Sequence, residues 1–143
     1  MSEENVELSR AYLDEIARGS EEGLDPEATV LKMAESWALE VEWDMSEAEV
    51  PDIGGVYRGM EACSQLWREW FAAWETLKFE YELVDDADRV VWLIDLRMRG
   101  RSTGIEVSLG KHAFVTTFRD GLMVDSKLYM DQAEALEAAG LRE

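Results

Sequence analysis

Residues 89–118, RVVWLIDLRMRGRSTGIEVSLGKHAFVTTF, contain the longest strand pattern of this chain. It predicts two long strands, Arg89–Arg99 and Ile105–Phe118, joined by GRSTG, whose glycines and serine are typical of a hairpin turn. Alternating apolar and charged residues predict a further strand before this pair, around residues 79–83, and the Asp120-Gly121 turn leads into another at 122–130. The second half is therefore expected to be a run of about four antiparallel strands.

The first half and the last residues of the chain favour helices. Apolar residues at offsets of three and four, together with capping residues, predict the helices Glu3–Arg18, Pro26–Glu35, Met60–Thr76 and a final short one from Asp131 to Ala139. Asp25 before Pro26 and Asp131 before the last apolar run supply N-cap carboxylates, and Gly140 provides a stop.

A first strand, Ala38–Met45, is predicted from a strict alternation. Its two faces are Leu39, Val41, Trp43 and Met45 on one side, and Glu40, Glu42 and Asp44 on the other. A loop at residues 47–55, rich in acidic residues, proline and glycine, follows it and has room to act as a rim or a lid.

The order of these elements predicts an α+β fold in one domain, residues 1–143. A curved antiparallel sheet would wrap around the three helices of the N-terminal half. A sheet covered by helices on one face tends to leave a cavity between the two layers, so a binding site is expected there.

Composition limits the function. The 143 residues carry a net charge of −18 and are 47% apolar, which excludes disorder and disfavours contact with nucleic acid or an anionic membrane surface. No apolar run approaches the roughly 18 residues of a membrane span. One cysteine, Cys63, and an acidic N-terminus predict a cytoplasmic protein without a disulfide.

Cofactor chemistry has no sequence signature here. One histidine and one cysteine, far apart in sequence, do not form a metal-ligand cluster. No glycine-rich phosphate loop precedes a helix, and no G-x-S-x-G nucleophile pattern is present. We expect no metal and no cofactor.

Aromatic residues form a wide stripe on the predicted third helix. Trp67, Trp70 and Trp74 recur there at helical spacing. Such a stripe packs in the core, lines a pocket, or forms a dimer contact, and the sequence leaves these three interpretations open.

His112 is the only histidine, and strand alternation puts it in one row with Phe114, Thr116 and Phe118. We take this row to face the cavity. His112 is then either a general acid or base near neutral pH or a hydrogen-bonded residue of the wall.

Asp95 interrupts an apolar strand, and Arg97 lies two residues later on the same face. The pair is either a salt bridge on the outer surface or an inward polar anchor for a substrate, in which case Asp95 and His112 would form an acid/base couple. A single β-bulge would turn these side chains to the other face of the sheet, so strand alternation alone does not decide between the surface salt bridge and the inward anchor.

Several segments together resemble the SnoaL-like branch of the nuclear transport factor 2-like superfamily, which includes polyketide cyclases, ketosteroid isomerases and limonene epoxide hydrolases. The segments are residues 9–12 (SRAY), 41–44 (VEWD), 56–59 (VYRG), 118–121 (FRDG), 128–131 (LYMD) and 134–141 (EALEAAGL). The resemblance covers almost the whole chain and implies a cone-shaped fold that serves many reactions.

The resemblance also implies roles for single residues. Tyr12 falls where ketosteroid isomerases have an oxyanion donor, and Asp44 lies close to the place of their general base, although an acidic residue beside the rim loop is most often solvated. Phe114 stands where their protonated aspartate is expected, and Leu128 where limonene epoxide hydrolases have one of their aspartates. Both catalytic sets are therefore incomplete, and Tyr129 is a further residue that could enter the cavity.

Three hypotheses follow. In the first, a cofactor-independent cyclase, isomerase or hydrolase acts on an apolar oxygenated compound by acid/base catalysis. Its catalytic residues would be His112, Asp95, Tyr12 and Asp44, and its binding residues Arg97, Trp67, Trp70, Trp74, Phe114, Thr116 and Tyr129. In the second, the same pocket binds a small apolar ligand without catalysis. In the third, the domain is mainly a structural dimerisation domain, and its own tryptophans fill the pocket.

A homodimer through the sheet is what the resemblance implies. The strand row Val90, Trp92, Ile94, Leu96 and Met98 offers an apolar face that would need a cover, and we assign the dimer contact to it.

Overall fold

The computed structural model describes residues 2–21, 23, 25–48 and 53–140. Within these ranges the helices are α1 (Ser2–Glu21), α2 (Pro26–Ala34), α3 (Met60–Ala72) and α4 (Gln132–Ala138). The strands are β1 (Trp37–Asp44), β2 (Val56–Arg58), β3 (Trp74–Asp86), β4 (Arg89–Gly100), β5 (Glu106–Arg119) and β6 (Leu122–Tyr129). The predicted α+β fold with a short C-terminal helix is confirmed.

The strands form one sheet in the order β2-β1-β6-β5-β4-β3. Neighbouring strands are antiparallel except for β1 and β6, which run parallel because the chain crosses over between them. The hairpin of β4 and β5 pairs Ile94 with His112 and Asp95 with Lys111, and its register shifts after Leu96. The sequence-based expectation of an entirely antiparallel sheet misses this one parallel pair.

Helices pack against both faces of the sheet, but the short α4 covers only part of the outer face. On the inner face Trp92, Ile94, Leu96 and Met98 are buried in the main core beside α1 and α3. The other face of β4 and β5 carries Val91, Ala113 and Val115, which pack against Ala135 and Ala139 at the C-terminal helix.

The dimer contact that we assigned to the row from Val90 to Met98 is therefore wrong. This row is the inner one: its members are all at least nine-tenths buried within the chain. Because side chains alternate along a strand, these apolar residues share one face, and that face is covered by the core of the chain itself.

The third helix ends earlier than predicted. It stops at Ala72, and Trp74 and Thr76 already belong to β3. Arg101, from the tip of the β4–β5 hairpin, donates from its guanidinium to the carbonyls of Ala72 (3.1 Å) and Trp74 (2.9 Å), and its backbone N–H donates to Ala73. Carbonyls at a helix end need such donors, so the hairpin tip sets the boundary.

The first strand departs from the predicted alternation at one residue. Val41, Trp43 and Met45 are buried as expected, but Leu39 is 81% exposed. The pairing of β1 with β6 jumps between Trp37 and Glu42, so an irregular segment turns Leu39 outward.

The loop predicted at residues 47–55 lies partly outside the described residues, since 49–52 are not described. A short strand, β2, follows it and was not predicted. The two predicted caps are confirmed: Asp25 accepts from the N–H of Ala28, and Asp131 from those of Ala133 and Glu134.

Candidate functional site

A cavity of about 830 Å³ lies between the helices and the inner face of the sheet. Its deeper wall is almost entirely apolar and aromatic. The aromatic members are Tyr12, Trp43, Tyr57, Trp67, Trp70, Phe71, Trp74, Phe79, Trp92 and Phe114. The aliphatic members include Leu66, Ile94, Leu96, Met98, Leu128 and Met130. A volume of this size holds a small organic molecule.

Exposed lining residues mark the mouth of the cavity. They include Gln65 and Glu69 on α3 and Val107 at the start of β5. Ala48 and Ile53, at the two ends of the segment that is not described, also line it. The mouth therefore lies between α3, the β4–β5 hairpin and the loop after β1.

His112 is the basic group of the deeper wall. It is 2% exposed, and its Nδ1–H donates to the carbonyl of Gly110 at 3.0 Å. Because a carbonyl only accepts, the neutral ring carries its proton on Nδ1 and its lone pair on Nε2. Burial lowers the pKa of His112, against the opposing effects of the Gly110 bond and the charge of Asp95, so the imidazole is neutral at pH 7.

Tyr12 is the second titratable group of the deeper wall. Its phenol oxygen accepts a hydrogen bond from Trp37 Nε1 at 3.1 Å, and its ring contacts Trp92 with centroids 5.4 Å apart. Burial raises the pKa of the Tyr12 phenol far above its ordinary value. Tyr12 is therefore a neutral hydroxyl that can donate a hydrogen bond at any physiological pH.

The aromatic wall is a connected cluster. Trp43 lies at its centre and meets Trp67 edge-on at 5.1 Å and Phe114 edge-on at 5.6 Å. Phe114 in turn meets His112 edge-on at 5.9 Å. Edge-on contacts of this kind stabilise ring packing beyond the apolar area that they bury.

The structure brings together six of the residues named from the sequence. His112, Tyr12, Trp67, Trp70, Trp74 and Phe114 all line the cavity. The predicted row of β5 continues inward with Thr116 and Phe118, which are buried but do not line this cavity. Thr116 is instead hydrogen-bonded to Ser126 at 2.9 Å.

The predicted inward couple of Asp95 and His112 is not formed. The lining residues of β4 are Trp92, Ile94, Leu96 and Met98, so alternation puts Asp95 and Arg97 on the opposite, outer face. Asp95 is paired across strands with Lys111. The register shift lies after Leu96, too late along β4 to turn Asp95 inward.

Asp44 and Tyr129 also lie away from the cavity. Asp44 accepts hydrogen bonds from the hydroxyl (2.6 Å) and N–H (3.0 Å) of Ser46, and Lys127 is 3.8 Å away. Partial burial would raise the pKa of Asp44, but these partners outweigh it and lower the pKa below its ordinary value. Tyr129 packs beside the α4 cluster under the Lys127 ammonium.

Sequence reasoning missed several wall residues, among them Trp43, Trp92 and Tyr57. The signal for Trp43 was present, because it alternates with Val41 and Met45 on the apolar side of β1. Trp92 was placed in the dimer row instead. No comparable local pattern marks Tyr57, which reaches the cavity through the pairing of β2 with β1.

Neither a metal centre nor a membrane helix is found in the described part of the chain. No group of three or more His, Cys, Asp or Glu there could hold a metal ion. No helix within the same residues combines the length and the apolar character that crossing a membrane requires.

Comparison of the whole structure with solved structures shows where this fold recurs. An NTF2-like protein of unknown function from Burkholderia pseudomallei superposes with a TM-score of 0.71, at 19% identity over 94% of this chain and 95% of that one. TerC, co-crystallised with polyporic acid, superposes with a TM-score of 0.68 at 17% identity, over 96% of this chain and 98% of that one.

A putative SnoaL-like polyketide cyclase from Mesorhizobium loti gives a TM-score of 0.58 at 16% identity, over 87% of this chain and 97% of that one. At these identities the likeness shows the fold. No curated protein sequence matches the chain. The family model described as the SnoaL-like domain matches residues 10–126, and the chain therefore belongs to the SnoaL-like family.

Proposed function

We propose that this protein binds an apolar, oxygenated small molecule in its cavity and that His112 moves a proton on it. One observation carries the proposal: a buried, neutral imidazole stands in the wall of a large apolar cavity with its Nδ1–H fixed on a backbone carbonyl. The remaining ring nitrogen, Nε2, is then the basic atom for a bound compound.

The proposed reaction is proton transfer at a carbon next to a carbonyl. His112 Nε2 takes the proton, the C–H electrons form a carbon–carbon double bond, and the carbonyl electrons move to its oxygen. Tyr12 can donate its hydroxyl to the resulting oxyanion. If the substrate carries a further carbon–carbon double bond beside that carbon, the imidazolium returns the proton to the far end of the dienolate and completes an isomerisation. If it carries a second carbonyl, the enolate carbon attacks that carbonyl carbon, and the alkoxide so formed takes the proton from the imidazolium to complete a cyclisation.

Fold neighbours support a small-molecule role. TerC was co-crystallised with polyporic acid, and the Mesorhizobium loti neighbour is described as a putative polyketide cyclase. We assign no catalytic role to Asp95 or Asp44, which lie outside the cavity, and none to Arg97, Thr116 or Tyr129.

Binding without catalysis is the second candidate. The only carboxylate among the described lining residues is Glu69, which is exposed near the mouth. His112 therefore has no acidic partner inside the cavity, an arrangement that a carrier or sensor of an apolar compound would also show.

We test the proposal with β-tetralone, a small apolar ketone with exchangeable protons next to its carbonyl. In heavy water, NMR should show that the protein accelerates exchange of these protons for deuterium. His112→Gln should lower the acceleration by about a hundredfold, since positioned general bases contribute roughly that much or more, while affinity for the ketone is retained.

Asp44→Asn is the matched control, because it removes a carboxylate outside the cavity and should leave exchange unchanged. Equal exchange by the native protein and His112→Gln would refute catalysis and leave the binding candidate. Failure of the ketone to perturb any cavity residue would refute both.

We also infer a cytoplasmic setting. It is supported by Cys63, a buried free thiol, whose pKa burial raises to about 11, which is the behaviour of an inert core residue.

A further inference from the structure

A second cavity, of about 680 Å³, lies where the first turn of α1 meets the β3–β4 and β5–β6 turns. Its described lining includes Glu4, Asn5, Asp88, Phe118 and Asp120. Three acidic residues from three separate segments of the chain therefore line one space.

Asn5 is the residue that points to a ligand in this second cavity. It is only 6% exposed, and its carboxamide has no hydrogen-bond partner within the described residues. Its oxygen and nitrogen both retain accessible surface, so the carboxamide opens into the cavity that Asn5 lines. A buried amide without a partner is rare and costly, and a bound molecule that hydrogen-bonds to it would remove this cost.

The acidic residues of the second cavity have no cation of their own. None of the three forms an ion pair within the described residues, and no lysine or arginine is part of the described lining. The arginines next to two of them in sequence are engaged elsewhere, Arg89 with Asp86 at 2.8 Å and Arg119 with Glu40 at 2.6 Å. The N-terminus of α1 supplies only about half a positive charge, so the second cavity is net negative.

The three carboxylates do not converge on one point. In the part of the chain that the structure describes, no group of three or more His, Cys, Asp or Glu could hold a metal ion. One small cation therefore cannot meet all three carboxylates. A molecule with two or more separate cationic centres can, and its methylene groups would pack against Ala87 and the buried ring of Phe118.

We propose that the second cavity binds an aliphatic diamine or polyamine. Its ammonium groups donate to the carboxylates, one of them also donates to the carboxamide oxygen of Asn5, and the carbon chain between them lies along Phe118. The proposal does not depend on the function of the candidate site, because the two cavities share no described lining residue.

Probes with the same four-carbon chain test it: 1,4-diaminobutane with two ammonium groups, butylamine with one and 1,4-butanediol with none. We titrate the native protein by calorimetry in about 0.15 M salt, where long-range attraction is screened. The diamine should bind at least tenfold more tightly than butylamine, and the diol should not bind. In NMR spectra the diamine should shift the side-chain amide of Asn5 and the backbone amides of Ala87 and Gly121, while the resonances of His112 stay in place.

Asn5→Leu separates a built site from general attraction to a chain that carries −18. This variant changes no charge and should lower the affinity for the diamine by about fivefold, as expected for one lost hydrogen bond. Because the native carboxamide has no partner within the described residues, the same variant should not lower the free energy of unfolding in the absence of the diamine.

Glu4→Gln and Glu61→Gln form a matched pair. Each removes one exposed carboxylate from the first turn of a helix, but Glu61 does not line the second cavity. Glu4→Gln should lower the affinity for the diamine by about threefold, within the range of an exposed ion pair, and Glu61→Gln should leave it nearly unchanged.

Equal losses in Glu4→Gln and Glu61→Gln, or undiminished affinity in Asn5→Leu, would show attraction by net charge alone and overturn the site. Butylamine binding as tightly as the diamine would overturn the ligand with two cationic centres. Tighter binding of calcium ions, or of an acetylated and amidated lysyl-lysine dipeptide, would assign the cavity to a metal or to a basic protein segment and overturn the diamine. The NMR shifts are read on the native protein, so the test holds even if a variant does not fold.

Discussion

At the scale of the residue, the chemistry of His112 depends on a glycine two positions earlier. Gly110 lies beside the register shift between β4 and β5 and has φ of +74°, a conformation that other residues rarely adopt. This local turn places the Gly110 carbonyl 3.0 Å from Nδ1 of His112. The tautomer of the proposed base is therefore set by the backbone.

The lowered pKa of His112 predicts how stability and exchange depend on pH. The unfolded chain takes up the proton near the ordinary pKa of about 6.5, whereas the buried ring resists it until a lower pH. Between these two values the unfolded state binds more protons, so the free energy of unfolding falls as the pH is lowered from 7 through this window. Urea titrations at several pH values should show this fall in the free energy of unfolding for the native protein, and His112→Gln should lack it.

The same shift applies to the proposed catalysis. The unprotonated Nε2 should persist below pH 6.5, and the acid inflection of β-tetralone exchange should lie below that value. An inflection above the ordinary histidine pKa would contradict the placement of His112 in an apolar wall.

At the scale of the element, the junction between α3 and β3 depends on a distant arginine. Arg101 bonds to the carbonyls of Ala72 and Trp74, and it thereby holds the last turn of the helix and the first residue of the strand. Trp70, on α3, and Trp74, at the start of β3, pack against each other across this junction with ring centroids 6.1 Å apart. The position of that part of the cavity wall is thus linked to the hairpin tip.

Arg101→Ala should reduce the free energy of unfolding by about 1 kcal/mol. The carbonyls of Ala72 and Trp74 would lose a charged hydrogen-bond donor, and water would replace it only in part. Urea denaturation measures this. Arg101→Lys keeps the charge but lacks the planar guanidinium, so its free energy of unfolding should lie between those of the native protein and Arg101→Ala. A loss equal for both variants would show that fork geometry, rather than charge, holds the junction, and no loss in either would contradict the assignment.

At the scale of the whole molecule, net charge and the exposed face of the sheet determine how two copies of the chain can associate. Homodimerisation stays a prediction, and the inner row from Val90 to Met98 takes no part in it. The outer face of β3, β4 and β5 remains, where Glu80, Asp95 and Lys111 lie in register and Arg97 is exposed. Two chains of −18 each repel, so association through this mixed face must overcome that repulsion.

Light scattering coupled to size exclusion should therefore find a homodimer whose share grows as sodium chloride is raised from about 0.01 to 0.5 M, since salt shortens the screening length. Arg97→Glu should shift it toward monomer. Arg10→Glu makes the same change of charge on the exposed side of α1 and should shift it far less. A monomer under all conditions would contradict dimerisation, and equal effects of the two variants would contradict the outer face as the contact.

Prediction from sequence succeeded where a signal is local. The caps at Asp25 and Asp131, the hairpin around GRSTG and the buried side of β1 at Val41 and Trp43 follow from turn chemistry and periodicity. Prediction failed where a distant partner decides: Arg101 ends α3 before Trp74, and a shifted pairing with β6 turns Leu39 outward. In the candidate site, His112 and the tryptophans of α3 were found because they stand out by type and spacing.

Most of the helices and strands, the α+β class, the aromatic character of the core and the SnoaL-like resemblance could be read from the amino-acid pattern, because each depends on spacing and residue type over short ranges. The short strand β2 could not. Which face of β4 is inner follows only from the packing of the folded chain, which places Trp92 in the cavity wall and Asp95 and Arg97 on the outer face. The reason is that alternation fixes which residues share a face but not which face meets the helices. That choice depends on register and on where α1 and α4 pack.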